Sequence, residues 1–313
     1  MKALKLHIAA AAAVAALVLL APSCGRKKAP GKRAAAPEKA EFTLPQVPSL
    51  LDDVQRRDYL KQHFWDNFKF DDGNYISALD TGEVLKMFCV FAELLGDDLR
   101  DAAPVEHMLE KAAPYGDALH YISYFADRVF HDPNSPYRND EFYLPVLRAQ
   151  VESPFYSDAE KITPQMLIPL LMQNRLGEKA NDFTYALANG RRGTLYGLQA
   201  PYVLIFFNNP GCEMCRGIRE EMGASPVFRE LIGSGRLKVL AVYPDEDLEA
   251  WRGYAPNMPS DWINAYDPAH ALFDQGLYNL AAIPSLYLLD AEKTVLAKDV
   301  TDVPYLESLL SRD

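Results

Sequence analysis

The chain has 313 residues, 49% of them apolar and 24% charged, which are ordinary globular values that exclude a disordered, collagen-like or multi-span membrane protein. Its length suggests about two domains at a prior of roughly 150 residues each, and its net charge of −11 gives no general attraction to nucleic acid or to anionic membrane surfaces. Four cysteines are too few for a disulfide scaffold, so each is read separately.

Lys2 and Lys5 precede an apolar run from Ile8 to Leu20, and Ala21-Pro22-Ser23-Cys24 follows. A basic start, a hydrophobic stretch and small residues before a break read as a secretory leader over residues 1–23. A helix of about 13 residues rises only about 20 Å, against a bilayer core of about 30 Å, which argues against a retained transmembrane anchor. The pattern ending at Cys24 resembles a bacterial lipoprotein signal, although Ala21 stands where such signals usually carry Leu and Pro22 is unusual. The resemblance implies lipidation of Cys24 and attachment to a membrane through acyl chains; a cleaved leader without lipid is the alternative. Residues 25–40 are rich in Ala, Pro, Lys and Arg, with Glu38 the single acid, and 24–44 is expected to be a flexible tether. Setting aside the two lysines of the leader, the six bases of the tether and Glu38 leaves the remainder at −18. Surface-exported lipoproteins of Bacteroidota tend to be acidic after the cysteine. Gly25-Arg26-Lys27-Lys28 differs from that, which places the expected protein in the cell envelope facing the periplasm, on the outer rather than the inner membrane.

From 45 to 175 the apolar spacing is mostly helical. Leu60, Phe64 and Phe68 fall four apart, Val84, Phe88, Phe91 and Leu95 make one stripe, and Leu119, Ile122, Ala126, Val129 and Phe130 another. Asp80 or Thr81 can cap the second of these and Gly96 can end it, while Asp132-Pro133-Asn134-Ser135-Pro136 is a dense run of turn formers. Nothing here rises above packing. His63, His107, His120 and His131 lack the i, i+4 pairing of a helical metal site. Cys89, between Phe88 and Phe91, reads as a buried and inert thiol. The segment His131 to Arg138 with Asp140-Glu141 and Tyr143, and the earlier Tyr59-Leu60 with His63-Phe64-Trp65, resemble the helical DUF5106 domain that precedes thioredoxin-like domains in Bacteroidota lipoproteins. That resemblance implies an all-α first domain and no activity.

After Gly177 the pattern changes to short strands. Asp182 to Leu187 alternates before the turn Asn189-Gly190. Tyr202 to Phe207 is a continuous apolar run bounded by Pro201 and Asn208-Asn209-Pro210, as a buried central strand requires. A helical run follows to about Met222. Strands are expected at 237–243, 285–289 and 295–299 and a last helix near 304–310, so residues 177–313 are α/β.

Cys212-Glu213-Met214-Cys215 stands where that strand gives way to the helix. A cysteine at a helix N-terminus faces unpaired backbone N–H groups and the positive end of the dipole, which favour thiolate over thiol. Cys215 lies three residues on, on the same helix face, within reach of a mixed disulfide formed at Cys212. As a staple so small a ring contributes only about 2 kcal/mol in the chain-entropy model, whereas as a switch it is well suited. A structural disulfide, or half of a metal site, are the other readings of a lone C-x-x-C. Ala282-Ile283-Pro284-Ser285 directly precedes the apolar strand at 286–289, and a proline there belongs at the strand's start or in a cis turn.

Taken with Gly177 to Phe183 and the strand Tyr202 to Phe207, these motifs resemble the TlpA/ResA branch of the thioredoxin superfamily. The resemblance implies a central mixed sheet flanked by helices, with a redox-active Cys212–Cys215 pair and Ile283 and Pro284 as the substrate-positioning residues. The departures are specific: Gly211 replaces an aromatic residue before the first cysteine, Phe206 replaces the buried acid of thioredoxin, and Ile218 stands where related reductases often carry Glu. Glu213 opposes a thiolate, while Arg216 and Arg219 favour one. The expected function is membrane-anchored thiol-disulfide exchange with exported proteins, with Cys212 as nucleophile and Cys215 as resolving thiol. It implies no dissociable cofactor and no metal, and as partners protein thiols or disulfides and an upstream redox protein. A non-catalytic scaffold lipoprotein is the alternative, and a peroxiredoxin-like peroxidase is disfavoured by Asn209 where such enzymes carry Thr.

Overall fold

In the computed structural model, the residues described are 39–311 except Asp97. The leader, Cys24 and the tether up to Glu38 lie outside them. Five helix starts in the first half are set by side chains that accept first-turn N–H groups, each typically worth about 1 kcal/mol. Asp52 caps α1 (Asp53–His63), with Gln55 completing a capping box. Asp72 caps α2 (Gly73–Ala78), and Asp80 caps α3 (Thr81–Leu95), which Gly96 ends. After α4 (Ala103–Ala112), α5 (Gly116–Ala126) runs into a π-helical turn at Asp127–His131. Asn139 caps α6 (Asp140–Glu152), and Ser157 with Glu160 forms a second capping box on α7 (Asp158–Leu171).

The stripe of α3 is buried as its spacing predicts, and Phe64, Phe88, Phe91, Phe125 and Phe130 form the middle of the helical core. Three expectations need correction. α1 ends at His63, so Phe64 and Phe68 lie beyond it, in the turns that follow. Those turns let Phe64, Trp65 and Phe68 all converge on one partner, Phe42, which stacks on Trp65 at 5.2 Å. Residues 40–43 thus pack on the helices where a tether was expected: Ala40 bridges to Leu79, Tyr75 donates to the Glu41 carbonyl and Asn67 to that of Thr43. Cys89 is half-buried against this core, not enclosed by it.

The second half is built on seven strands in the order β2-β1-β5-β4-β3-β6-β7. In chain order these are β1 (Thr184–Leu187), β2 (Arg192–Thr194), β3 (Tyr202–Phe207), β4 (Leu237–Tyr243), β5 (Ile263–Tyr266), β6 (Ser285–Leu289) and β7 (Val295–Val300). The helices are α8 (Glu213–Ala224), α9 (Pro226–Gly233), α10 (Leu248–Tyr254), the single turn α11 (Ala271–Asp274) and α12 (Val303–Leu310). β3 lies parallel to β4 and antiparallel to β6, with Phe206 opposite Leu286 and Phe207 opposite Ser285. Every residue of β3 is buried because both faces are covered. Leu204 and Phe206 pack with Cys215, Ile218 and Leu306 on one face, and Val203, Ile205 and Phe207 with Tyr278 and Tyr287 on the other. The mixed sheet flanked by helices is the architecture expected. The sequence reading passed over β5: it has four residues, and only Ala265 among them is fully buried. Its Asn264 instead accepts a hydrogen bond from the Trp251 indole at 3.3 Å.

Helical region and sheet are joined by ionic contacts at β7. The Lys298 ammonium donates to the carbonyls of Leu171 (2.7 Å) and Gln173 (2.8 Å) and pairs with Asp140 at 2.8 Å, with side chains only 6% and 5% exposed. Arg138 pairs with Asp299 of β7, while Arg175, in the segment after α7, pairs with Glu141 of α6. The connecting segment adds backbone bonds, Gly177 N–H to the Val295 carbonyl and Val295 N–H to that of Glu178, both 2.9 Å.

Candidate functional site

β3 ends at Phe207, and the chain must turn before α8 begins. The Asn208 amide secures that turn by donating to the Phe206 carbonyl at 3.0 Å, and Asn209 donates to Asp245 at 2.6 Å. Gly211 takes φ +77, where a side chain would be strained. Cys212 then falls at the N-cap of α8. Its Sγ accepts the Cys215 N–H at 3.1 Å, the role that Ser or Asp oxygens play at other helix starts. The sulfur therefore sits against the orphan N–H groups and the positive end of the helix dipole.

Cys212 and Cys215 are joined as a disulfide, with Cα atoms 5.2 Å apart. The two sulfurs differ in access: Cys212 is half-buried, and Cys215 is 1% exposed within the apolar cluster of Phe206, Ile218 and Met222. The Ile283-Pro284 peptide is cis, and the Ile283 carbonyl lies 3.9 Å from the Cys212 sulfur. The four residues of the C-x-x-C and prolyl motifs, 71 positions apart, thus come together at one end of β3 and β6.

Charges around the pair nearly cancel. Arg216 hydrogen-bonds the exposed Glu213 carboxylate, holding its pKa below the usual carboxylate value, and reaches Glu220 at 3.4 Å. Arg219 is turned toward Tyr254, donating to the phenol at 2.5 Å with its guanidinium 5.6 Å from the ring centre. Glu213 and Arg216 therefore neutralise each other locally, and the remaining bias toward thiolate is the helix terminus. The acids buried among the described residues are Asp140, Glu141 and Asp267. Asp140 and Glu141 are ion-paired at the junction with the helices, and Asp267 accepts the Leu272 and Ala269 N–H groups. Phe206 and Ile218, at the positions of the two departures, both pack as core around Cys215. Among the described residues no set of three or more His, Cys, Asp and Glu side chains is grouped to hold a metal ion, and no helix is long and apolar enough to cross a membrane.

The sequence reading missed what faces this site. A cleft of about 680 Å³ opens beside it, with Met214, Ile283 and Pro284 on one side and the helical region's Glu93 and Pro133–Asn139 turn on another. Tyr137 donates to Glu93 at 2.6 Å across 44 residues. That bond, together with burial, pushes the phenol's pKa up to about 12, so it remains a donor. The signal available was the unexplained turn Asp132 to Pro136, held by Asp132 accepting from Asn134 and Ser135 donating to Val129.

Residues 23–174 match the model of a family described as a domain of unknown function, DUF5106. A thioredoxin-like protein from Bacteroides caccae has a solved structure that is 40% identical, with a TM-score of 0.79 over 86% of this chain and 97% of that one. The C-terminal domain of an uncharacterized protein from Bacteroides fragilis is 45% identical over 44% of this chain and 99% of its own, with a TM-score of 0.43. A conserved protein of unknown function from Bacteroides fragilis is 37% identical over the same shares, also at 0.43. No curated protein matches the chain.

Proposed function

The chain belongs to the thioredoxin-like proteins in which a DUF5106 domain precedes the thioredoxin-like fold, and from that premise we propose that it is a thiol-disulfide oxidoreductase acting on proteins of the cell envelope. The observation that carries the reading is the unequal disulfide: one sulfur half-exposed at a helix N-cap, the other enclosed beneath it.

In the reducing direction the Cys212 thiolate attacks a substrate disulfide, displacing one substrate thiolate, and forms a mixed disulfide. The Cys215 thiol then loses its proton and attacks the Cys212 sulfur. The Cys212–Cys215 disulfide forms, and the second substrate sulfur leaves as a thiolate that takes a proton. Two electrons pass to the substrate, and a dithiol partner protein restores them. The apolar side chains at 206 and 218 supply no proton acceptor for Cys215. Ile283 and Pro284 border the attacked sulfur and guide the substrate backbone. The opposite direction uses the same steps reversed, with the disulfide form accepting electrons from a substrate dithiol.

Turnover of insulin disulfides in the presence of a dithiol reductant tests this directly. The wild-type chain is expected to accelerate reduction and Cys212→Ala to abolish the acceleration; equal rates in the two would overturn the assignment. Lipid attachment at Cys24, facing the periplasm, is part of the same proposal and is supported by the sequence pattern alone. Labelling of cells with a palmitate analogue should mark the wild-type chain and not Cys24→Ser.

A further inference from the structure

The cleft beside the disulfide has one wall that a thioredoxin-like sheet does not supply. Glu93, on α3, and the turn leading into α6 come from the helical region. They face Met214 and the Ile283-Pro284 peptide across the opening. Met214, between the two cysteines, is 58% exposed, which offers an apolar contact immediately beside the sulfur that partners must reach. The volume of about 680 Å³ falls in the range of ordinary ligand clefts.

The charges of this cleft are sorted in a particular way. Its bases, Arg138 and Lys298, are both engaged with acids, Asp299 and Asp140. A third acid, Glu141, is held by Arg175. That leaves Glu93 and Asp302, both exposed and neither ion-paired among the described residues. Glu93 is not loose: the Tyr137 hydroxyl fixes one carboxylate oxygen. Asp302 is likewise fixed, by accepting the Tyr305 N–H at 2.9 Å. Arg57 donates to the main-chain carbonyl of Glu93 at 3.0 Å, yet the five acids lining the cleft outnumber its two bases, so the cleft is electronegative, and a low-dielectric recess focuses such a field.

We propose that the helical region's wall at Glu93 and Tyr137 is a partner-selecting surface, which receives an extended, cysteine-bearing protein segment flanked by basic residues. Its substrate class rests on the redox reading above, while the wall itself rests on the cleft. Cys212 does not line the cleft itself, but Ile283 does, and its carbonyl lies 3.9 Å from the Cys212 sulfur. A segment lying along the cleft past Ile283 brings its own sulfur to the site, and its flanking lysine or arginine to Glu93. The helical region, joined to the sheet through β7, thereby chooses partners for a site it does not chemically share.

The test separates recognition from electron transfer. Binding to the disulfide form is read by fluorescence anisotropy, using labelled peptides with Ser in place of the central Cys and either Lys or Glu two residues to each side. An oriented but exposed ion pair contributes modestly, so wild type is expected to bind the Lys peptide about 1.5- to fivefold more tightly, with the preference shrinking as salt rises. Glu93→Gln, at an exposed position that leaves the fold intact, should reduce the ratio toward one, whereas Glu249→Gln, outside the cleft, should leave it unchanged. Equal affinity of wild type for both peptides, or equal effects of the two variants, overturns the proposal. Insulin reduction by the same samples reports separately on the redox reading: its absence in wild type refutes that reading, while the anisotropy ratios still decide the wall.

Discussion

Replacing Lys298 by Met removes the cation that fastens the sheet to the helices, and the structure sets the size of the effect. The ammonium pairs with Asp140 and donates to two carbonyls. Leaving one partner of a buried ion pair uncompensated costs about 3–5 kcal/mol. Carbonyls deprived of a donor add to this, while the position of Asp140 in the first turn of α6 relieves up to about 1 kcal/mol through the helix dipole. The expected loss is about 4 kcal/mol, which lowers a urea midpoint by about 1.3 M at a slope of about 3 kcal/mol/M. Asp140→Asn should cost less, about 2 kcal/mol, because the stranded ammonium keeps its two carbonyls. The double variant should cost about 2 kcal/mol, since only the two carbonyls then lack a donor, so the two singles overshoot it by about 4 kcal/mol. Urea unfolding followed by circular dichroism measures all three. Losses that add within about 0.5 kcal/mol, or a Lys298→Met loss under about 1 kcal/mol, would refute the role given to this contact.

After reduction, alkylation at neutral pH mapped by mass spectrometry should modify Cys212 about tenfold or more faster than Cys215 or Cys89, because only Cys212 combines access with a helix N-terminus. Burial, aided by the nearby Glu93 charge, pushes the Cys89 pKa up and keeps that thiol protonated; rapid labelling of Cys89 would contradict this. Burial of the half-exposed His131 ring, stacked on Tyr143, lowers its pKa below 6.5 despite the facing acids Asp127, Asp132 and Asp140, with Arg138 acting in the same direction as burial. A folded-state pKa lower than the unfolded one means the unfolded chain binds the extra proton. The stability from this group is therefore complete above pH 6.5 and falls as pH drops below it, by at most about 1.4 kcal/mol per pH unit. His131→Gln should flatten that acid-side slope in urea titrations between pH 7.5 and 5; an unchanged slope would show that other groups cause it.

What could be read from the sequence was whatever a local pattern encodes. The α3 stripe, the uninterrupted apolar β3 and the step from strand to C-x-x-C each carry their signal within a dozen residues. Ile283-Pro284 was legible because a proline ahead of an apolar strand has few places to sit. The rest depends on distant partners. Nothing near Lys298 announces that it serves the carbonyls of Leu171 and Gln173, and Arg138 meets Asp299 across 161 positions. Phe64 continues a helical spacing that the chain abandons at His63, because the turns beyond let it meet Phe42. Glu93 and Tyr137 carry no local signal of a site, and only the fold brings them to one cleft with Met214.

The way the sheet finishes at its two sides limits how anything can be held by main-chain zippering. One border is the three-residue β2, with Arg192 at its start, too brief and too charged to template a foreign strand. The other is occupied at Val295 by the chain's own Gly177 and Glu178. A visiting polypeptide that seeks backbone-to-backbone pairing is thus directed away from both flanks and toward the rim where the Ile283 carbonyl stands over sulfur.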